Sequence, residues 1–533
     1  MSTSISVLAA LAAAVQLAGA ATVTVVVPGS VMHAVEGVNM GNDGMLYGAS
    51  VHGQAVYRID PKTGAVAVEV GSPEGEADDV DIGPVGTPAA GIMAWTAQTT
   101  GEIRIRRPGS GKVEVVLPNV PRVNPIAFNK EGRLFTAQVG AGDDTLWEID
   151  VIGNKPPRVV AKSQGRLNGF GFGPDGLLYA PHFGTDGIFA INVDTGEHKV
   201  IATGVGAPAG VKVDPKGNVY SVNYLNGDVW RTDPKSGQSV KVTTVREPPD
   251  NLTIAADGTI YIANVADSAI YALDPATGKA RTIVDGKFTI ALGMASTRFE
   301  GRDAVLVADP FGYRFMDPKS GTVTRPFWAQ NRGASSAVTA DDRFIAYSYA
   351  LTGRVRKIDR TSDQLVLDSK DITAPRGVAL MADGDVLVAD AATGRLVRLG
   401  AGGATDIATG LKQPVALWRE SESAVVVTEF DSGSITRVDL KSGRATQIAT
   451  GFKGPSGLAR MADGRWAVVE AGEGRVTAVD EKSGAREILA KELPTTLAGL
   501  HMPANTNAGI AVGVDGALYV ACPRNNSVVR IDP

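Results

Sequence analysis

From residue 34 to its end the chain repeats one pattern of apolar and polar positions about every 40 residues. Each unit has an alternating apolar run, an Asp-Gly-type turn, a second alternating run closing on a polar residue, a loop, and a third run ending in Ile/Val-Asp. A Pro-x-Thr/Ser-Gly turn then leads on. Residues 377–399 (GVALMADGDVLVADAATGRLVRL) show the first three runs in one line. The first turn recurs at Asp43-Gly44, Asp175-Gly176, Asp257-Gly258, Asp383-Gly384, Asp463-Gly464 and Asp515-Gly516, where glycine supplies the positive φ of a tight hairpin. The second recurs at Asp60–Gly64, Asp233–Gly237, Asp274–Gly278 and Asp317–Gly321. Alternation of period two with almost no helical stretch predicts an all-β chain, and four short strands at this repeat length make the blade of a β-propeller.

Counted by third strands there are twelve units, ending near Asp60, Arg107, Asp150, Asn192, Thr232, Asp274, Asp317, Asp359, Gly400, Asp439, Asp480 and Asp532. Propellers hold about four to eight blades, so the pattern predicts two tandem six-bladed propellers, residues 31–290 and 291–533. The last unit stops after its third strand, whereas Thr22–Val27 (TVTVVV) is a β-branched strand without a unit. An open edge invites aggregation, so residues 22–30 are expected to close the last blade.

Composition narrows the chemistry. The net charge of −5 comes without any clustered Lys/Arg stripe, which argues against nucleic acid as a partner. One cysteine, Cys522, excludes a disulfide framework and a cysteine zinc site, and five histidines without a His-Glu-x-x-His spacing exclude a zincin. Any metal must be held mainly by oxygen. Residues 5–20 (ISVLAALAAAVQLAGA) form the one long apolar run, with Ala18-Gly19-Ala20 at the place of a cleavage site. Residues 1–21 therefore read as a signal peptide of a periplasmic or secreted protein whose mature part has no transmembrane helix.

In a propeller blade the start of the first strand and the end of the second share one channel mouth. In the first ring the strand starts carry Glu36, Asp79, Asn124, Asn168, Ala209 and Asp250, and the strand ends carry Ser50, Gln98, Gln138, His182, Asn223 and Asn264. Such hard oxygen donors suit a divalent cation (Ca, Mg, Mn or Zn), although a wet polar channel holding only water has the same composition. His182 is the histidine expected at this mouth, hence the candidate for proton transfer. In the second ring the strand ends are Asp309, Tyr349, Asp390, Glu429, Glu470 and Cys522, with Arg376 and Ser456 among the starts. Four acids at one mouth repel unless a cation or Arg376 neutralises them, and they are expected to lie solvated around it.

The first half resembles the regucalcin/gluconolactonase group of six-bladed propellers. The segments that carry this are Glu36-Gly37-Val38, Arg122-Val123-Asn124 with Asn129–Phe135, and Leu167-Asn168-Gly169 with Pro174–Tyr179. The second half is similar to virginiamycin B lyase and other NHL-repeat propellers through Val427–Phe430 and the runs around Gly457-Leu458 and Glu470. The resemblance implies that Glu36 and Asn168 are metal ligands and that Asn124 lies on the substrate side. It also implies an Asp acting as ligand and base where this chain reads Pro208-Ala209-Gly210. Alanine can do neither, so Asp250 is the expected replacement, with Asp79 the other acid at an equivalent start.

The resulting expectation is a lactonase/esterase-like, cation-assisted hydrolase acting on a small molecule. Its metal ligands would be Glu36, Asn168 and Asp250, its proton-transfer groups Asp250 and His182, and its substrate contacts Asn124, Asp79, Gln138 and Asn223. Two other readings stay open: a non-catalytic propeller that binds a ligand or a protein on its rim, favoured by Ala209, and a lyase opening a cyclic ester.

Overall fold

The computed structural model describes residues 21–140, 144–153, 155–162, 165–183, 186–325 and 334–533; residues 1–20, which carry most of the expected leader, lie outside the described residues. The described chain is all β. It folds into twelve four-stranded antiparallel sheets, and no helix long and apolar enough to cross a membrane is present among the described residues. In eleven sheets the strands pair in chain order. In the twelfth the order is Ile510–Val512, Leu518–Cys522, Ser527–Asp532 and then Thr22–Val27, so the N-terminal strand supplies the fourth position as expected. It pairs antiparallel with Ser527–Asp532, from Thr22 opposite Asp532 to Val27 opposite Val528.

The first strands of successive sheets lie side by side. Val38–Met40 contacts Val80–Ile82 on one side and Pro249–Ile254 on the other, and the intervening first strands each contact the next. Among the last six sheets Met294–Phe299 stands in the same relation to Ala337–Ala340 and to Ile510–Val512. The core lies between adjacent sheets: Tyr47, Ala49 and Val56 of the first pack on Met93 and Trp95 of the second, and each later pair repeats this layer. Alternation along each strand produces these layers, because residues of one parity face the preceding sheet and those of the other the following sheet.

The Pro-x-Thr/Ser-Gly turns explain how neighbours dock. Gly64 has φ 73°, and a Cβ there would stand 2.1 Å from the Ile283 carbonyl oxygen in the sixth sheet. Gly321, at φ 69°, meets the Val26 carbonyl oxygen of the N-terminal strand at the same 2.1 Å. Glycine is required twice over, for its backbone angle and for the close approach of a carbonyl. These contacts join the first sheet to the sixth and the seventh to the twelfth.

The N-terminal strand has one face in the core. Val27 is 1% exposed among Phe288, Met316 and Tyr519, whereas Val25 is 62% exposed. Val27→Asp is expected to cost about 3 kcal/mol by burying an unpaired carboxylate, and Val25→Asp less than about 0.5 kcal/mol. Thermal or denaturant unfolding checks this, and equal effects at the two positions would contradict the closing role of the strand.

Candidate functional site

Strand register identifies the equivalent positions that the sequence reading expects at the first mouth. The paired residues Val38–Gly48, Val80–Trp95, Ile126–Thr136, Val211–Ser221 and Leu252–Ile262 are equivalent in the first, second, third, fifth and sixth sheets. In the fourth, Gly171 opposite Tyr179 puts Phe170 at the same place. Two residues earlier stand Glu36, Asp78, Asn124, Asn168, Ala209 and Asp250. The second position belongs to Asp78 and not to Asp79, the residue expected from the sequence, and a one-residue step in a strand turns the side chain to the other face. Asp79 instead spends its carboxylate on neighbouring first strands: it accepts from the amides of Val80 (3.0 Å) and Ile126 (3.2 Å) and from Asn251 Nδ2 (3.2 Å).

The acids thus form two tiers. In the inner one, Asp79 and Asp81 have pKa values raised to about 6 by burial, an effect limited by the Lys212 charge and by backbone amides. Lys212 Nζ is anchored on the Phe170 carbonyl at 2.6 Å. The outer tier, Glu36, Asp78 and Asp250, has no Lys or Arg partner among the described residues. Burial raises Glu36 to about 8, against the amide of Val51, and the charge of Glu76 adds to the rise. Burial lifts Asp78 and Asp250 well above the carboxylate range, reinforced for Asp78 by Asp250 and Glu36 and for Asp250 by Glu36 and Asp79. Tyr224 is also pushed up by burial and then by Asp250, Glu36 and Asp78, which places its phenol in the same field.

Glu36 accepts from Val51 N at 3.2 Å and lies 3.3 Å from His52 Nδ1. His52 brings little positive charge, because burial lowers its pKa to about 4. Its ring centroid stands 5.3 Å from that of Phe311 and 6.3 Å from that of His501, residues of the seventh sheet and of the segment before the twelfth. Gln98 donates to Asp78 Oδ2 at 2.7 Å. The sequence reading missed Asp78, His52, Tyr224, Phe311 and His501. For Asp78 a signal existed in the acidic run Glu76-Ala77-Asp78-Asp79, but choosing between its two aspartates required the register.

Other expected site residues are engaged elsewhere. Gln138 donates to the Pro121 carbonyl (2.9 Å) and accepts from Thr145 N (3.3 Å), and Asn223 accepts from Leu225 N (2.9 Å) and donates to the Val205 carbonyl (3.4 Å), so both side chains brace loops. Asn124 and Asn168 are buried at mouth positions, and the Asn124 carbonyl accepts from Thr96 Oγ1 at 2.6 Å. His182 is partly exposed. Burial lowers its pKa, and the charges acting on it are those of Asp144 and Arg166 rather than the three outer carboxyls.

In the second half the expectation of solvated acids is corrected. Asp309, Asp390 and Glu470 are fully buried and Glu429 is 7% exposed, each with its own donors. Asp390 accepts from Ala374 N (3.1 Å) and Arg395 (3.0 Å); Glu470 accepts from Lys453 N (2.8 Å) and Arg475 (2.8 Å). Burial alone would raise both, but these hydrogen bonds hold them below the usual range. Arg376 neutralises none of the four by contact; its guanidinium binds Asn505 Oδ1 at 2.8 Å.

The outer tier is a set of hard oxygen donors whose charge nothing cationic offsets, which fits a divalent ion in kind. Among the described residues no three His, Cys, Asp or Glu side chains are arranged to hold one ion.

No family model matches the chain and no curated protein matches it. It is similar to solved structures at low identity. A gluconolactonase from Xanthomonas campestris is 15% identical over 46% of this chain and 88% of its own, with TM-score 0.39. A virginiamycin B lyase from Staphylococcus aureus is 15% identical over 62% of this chain and 95% of its own, with TM-score 0.30. An extracellular domain of a hybrid two component system from B. thetaiotaomicron is 10% identical over 96% of this chain and 82% of its own, with TM-score 0.35.

The raised acid carries a pH signature. Glu36 titrates at 4.5 when free and at about 8 when folded, so the folded chain keeps a proton that the unfolded chain releases. Stability from this group is full below pH 4.5 and is lost as pH rises through about 8. His33 and His52, lowered from 6.5 to about 4 chiefly by burial, act with the opposite sign and only below neutrality. In chelator-treated protein the unfolding midpoint should fall from pH 6.5 to 8.5, and Glu36→Gln should flatten that slope; an unchanged slope would contradict the assignment.

Proposed function

We propose that the twelve sheets close as two six-bladed propellers, residues 31–290 and 291–533, with residues 22–30 completing the last blade, and that the chain is an exported, periplasmic or secreted, lactonase/esterase-like hydrolase assisted by a divalent cation at the first mouth. The observation that carries this reading is the outer tier: Glu36, Asp78 and Asp250 are buried, the charge of Glu36 raises both aspartates, and none has a Lys or Arg partner among the described residues. Three carboxyls in such a place are relieved by protons or by a cation, and either state is useful for hydrolysis.

Glu36, Asn168 and Asp250 would hold the ion, which when bound would supply carbonyl polarisation and a more acidic water. Asp250 takes the proton from the attacking water and returns it to the leaving alkoxide, the task left vacant by Ala209. Asp78, fixed by Gln98, keeps the local field negative and favours binding of the cation. Asn124 presents an amide to the substrate at the equivalent position of the third sheet. His182 carries protons between this mouth and solvent. Asp79 acts through position, tying the second, third and sixth sheets where their first strands meet. A non-catalytic, ligand-holding propeller is the second reading, and Ala209, fully buried at its mouth position, favours it.

Equilibrium dialysis against Ca²⁺, Mg²⁺, Mn²⁺ and Zn²⁺ is expected to show one ion per chain, bound more tightly at pH 8.5 than at pH 6 because the carboxyls must lose their protons. A screen of lactones and esters should show turnover that chelation abolishes and that Glu36→Gln or Asp250→Asn lowers by about a hundredfold or more. Products should carry an added water; an isomeric product would assign a lyase instead. Stoichiometric binding without turnover would favour the scaffold, and the absence of both would overturn the proposal.

A further inference from the structure

A second charged site lies where the sixth and seventh sheets meet, away from the acidic mouth. A cavity of about 300 Å³ is lined there by Arg246, Lys287, Arg314, Arg325, Asp267 and Asp285, with Tyr271 alongside. Asp267 is the hub: its carboxylate meets Arg314 Nη1 at 2.7 Å, Arg325 Nε at 3.1 Å and Arg246 Nε at 3.1 Å. Three guanidiniums thus share one carboxylate. Asp309 takes Arg314 Nη2 at 3.2 Å and Glu247 meets Arg325 Nη1 at 3.5 Å, but neither lines the cavity. Among the described residues the wall itself holds four cations and two acids.

Arg314 and Arg325 are almost wholly buried, whereas Arg246 and Lys287 are half-exposed at the rim. Arg314 Nε is buried without a hydrogen-bond partner among the described residues, a donor left open in a side chain that lines the cavity. Burial lowers the pKa of Arg246 despite Asp267, and the charges of Arg325 and Arg314 push it further. Preorganised arginines around a small cavity make strong, bidentate contacts to oxyanions.

We propose that this cavity binds a small tetrahedral oxyanion, a phosphate or sulfate either free or as an ester, and that the bound anion links the sixth sheet to the seventh. The site is independent of the hydrolase reading, since none of its residues belongs to the acidic mouth. Its position gives it a second consequence: Arg314 is bonded to Asp309, and Asp309 accepts the amides of Thr289 and Phe311, so the anion would steady the strand end that carries Phe311 toward His52.

The test is calorimetric titration of the full chain with inorganic phosphate, inorganic sulfate and phenyl phosphate at constant ionic strength. Saturable binding is expected with one anion per chain, weakened about tenfold or more in Arg246→Gln and in Lys287→Gln. Both side chains sit at the rim, so the variants should keep the wild-type circular dichroism spectrum. Tighter binding of phenyl phosphate than of inorganic phosphate would assign the site to an organic ester, and the reverse order to the free ion. No saturable binding to the wild-type chain, or affinity unchanged in both variants, would overturn the proposal.

Discussion

The pairing of Thr22–Val27 with Ser527–Asp532 is the constraint from which much of the architecture follows. An unpaired outer strand is a row of free amides and carbonyls. Closing the last sheet with the chain's first strand removes that row and forces the chain to leave the twelfth sheet before it builds the first. The segment that makes this passage is held by buried polar contacts. His33 Nε2 lies 2.7 Å from the Pro523 carbonyl, and Ser30 N donates to the Asn525 carbonyl at 2.7 Å. Asn526, fully buried, donates to the carbonyls of Met32, Phe288 and Thr289 and accepts from Ala291 N. One asparagine side chain thereby ties together the segment entering the first sheet, the segment leaving the sixth and the last turn of the twelfth. Such groups are costly if left unpaired, so the junction is specific as well as stable.

The same physics separates structural from functional acids. At the second mouth every buried carboxylate has a local donor, usually a backbone amide and an arginine or hydroxyl of its own sheet, and where a shift is evident it is downward. At the first mouth the outer carboxyls rise: Glu36 has the Val51 amide and Asp78 the Gln98 amide, but among the described residues none of the three has an arginine or lysine. Burial is common to both sets, so burial alone does not mark a site. The lack of compensation does, because a fold gains nothing from buried like charges that it leaves unmatched.

Much of the architecture was legible because it rests on local, repeated signals. Alternation, Asp-Gly turns and the Pro-x-Thr/Ser-Gly turns fix strand and sheet boundaries within each unit, and the missing outer strand followed from counting strands. The site was legible only in part. Glu36, Asn124, Asn168 and Asp250 fall at equivalent positions because their units align without ambiguity. In the second unit two adjacent aspartates offered two alignments one residue apart, and only the pairing of Val80 with Trp95 selects Asp78. Gln138 and Asn223 looked like channel donors because nothing in the sequence reveals that loop carbonyls and amides will claim both ends of their side chains. His52, Phe311 and His501 belong to different parts of the chain, and their meeting is a product of tertiary docking that no local pattern encodes.

That docking gives the second half a defined task. At the register positions where the first half carries Glu36, Asp78, Asn124, Asn168, Ala209 and Asp250, the second carries Leu292, Ser336, Arg376, Val415, Ser456 and Ala508. The single charged member of that set, Arg376, binds Asn505, whose own amide donates to Gln413 at 2.9 Å, and Ser456 exchanges hydrogen bonds with Ala508. The segment before the twelfth sheet is therefore tethered to the first strands of the second half. The same segment carries His501, whose amide donates to the His52 carbonyl at 2.9 Å. One stretch of chain thus contacts both halves. The second half thus places the rings of His501 and Phe311 beside His52 of the first.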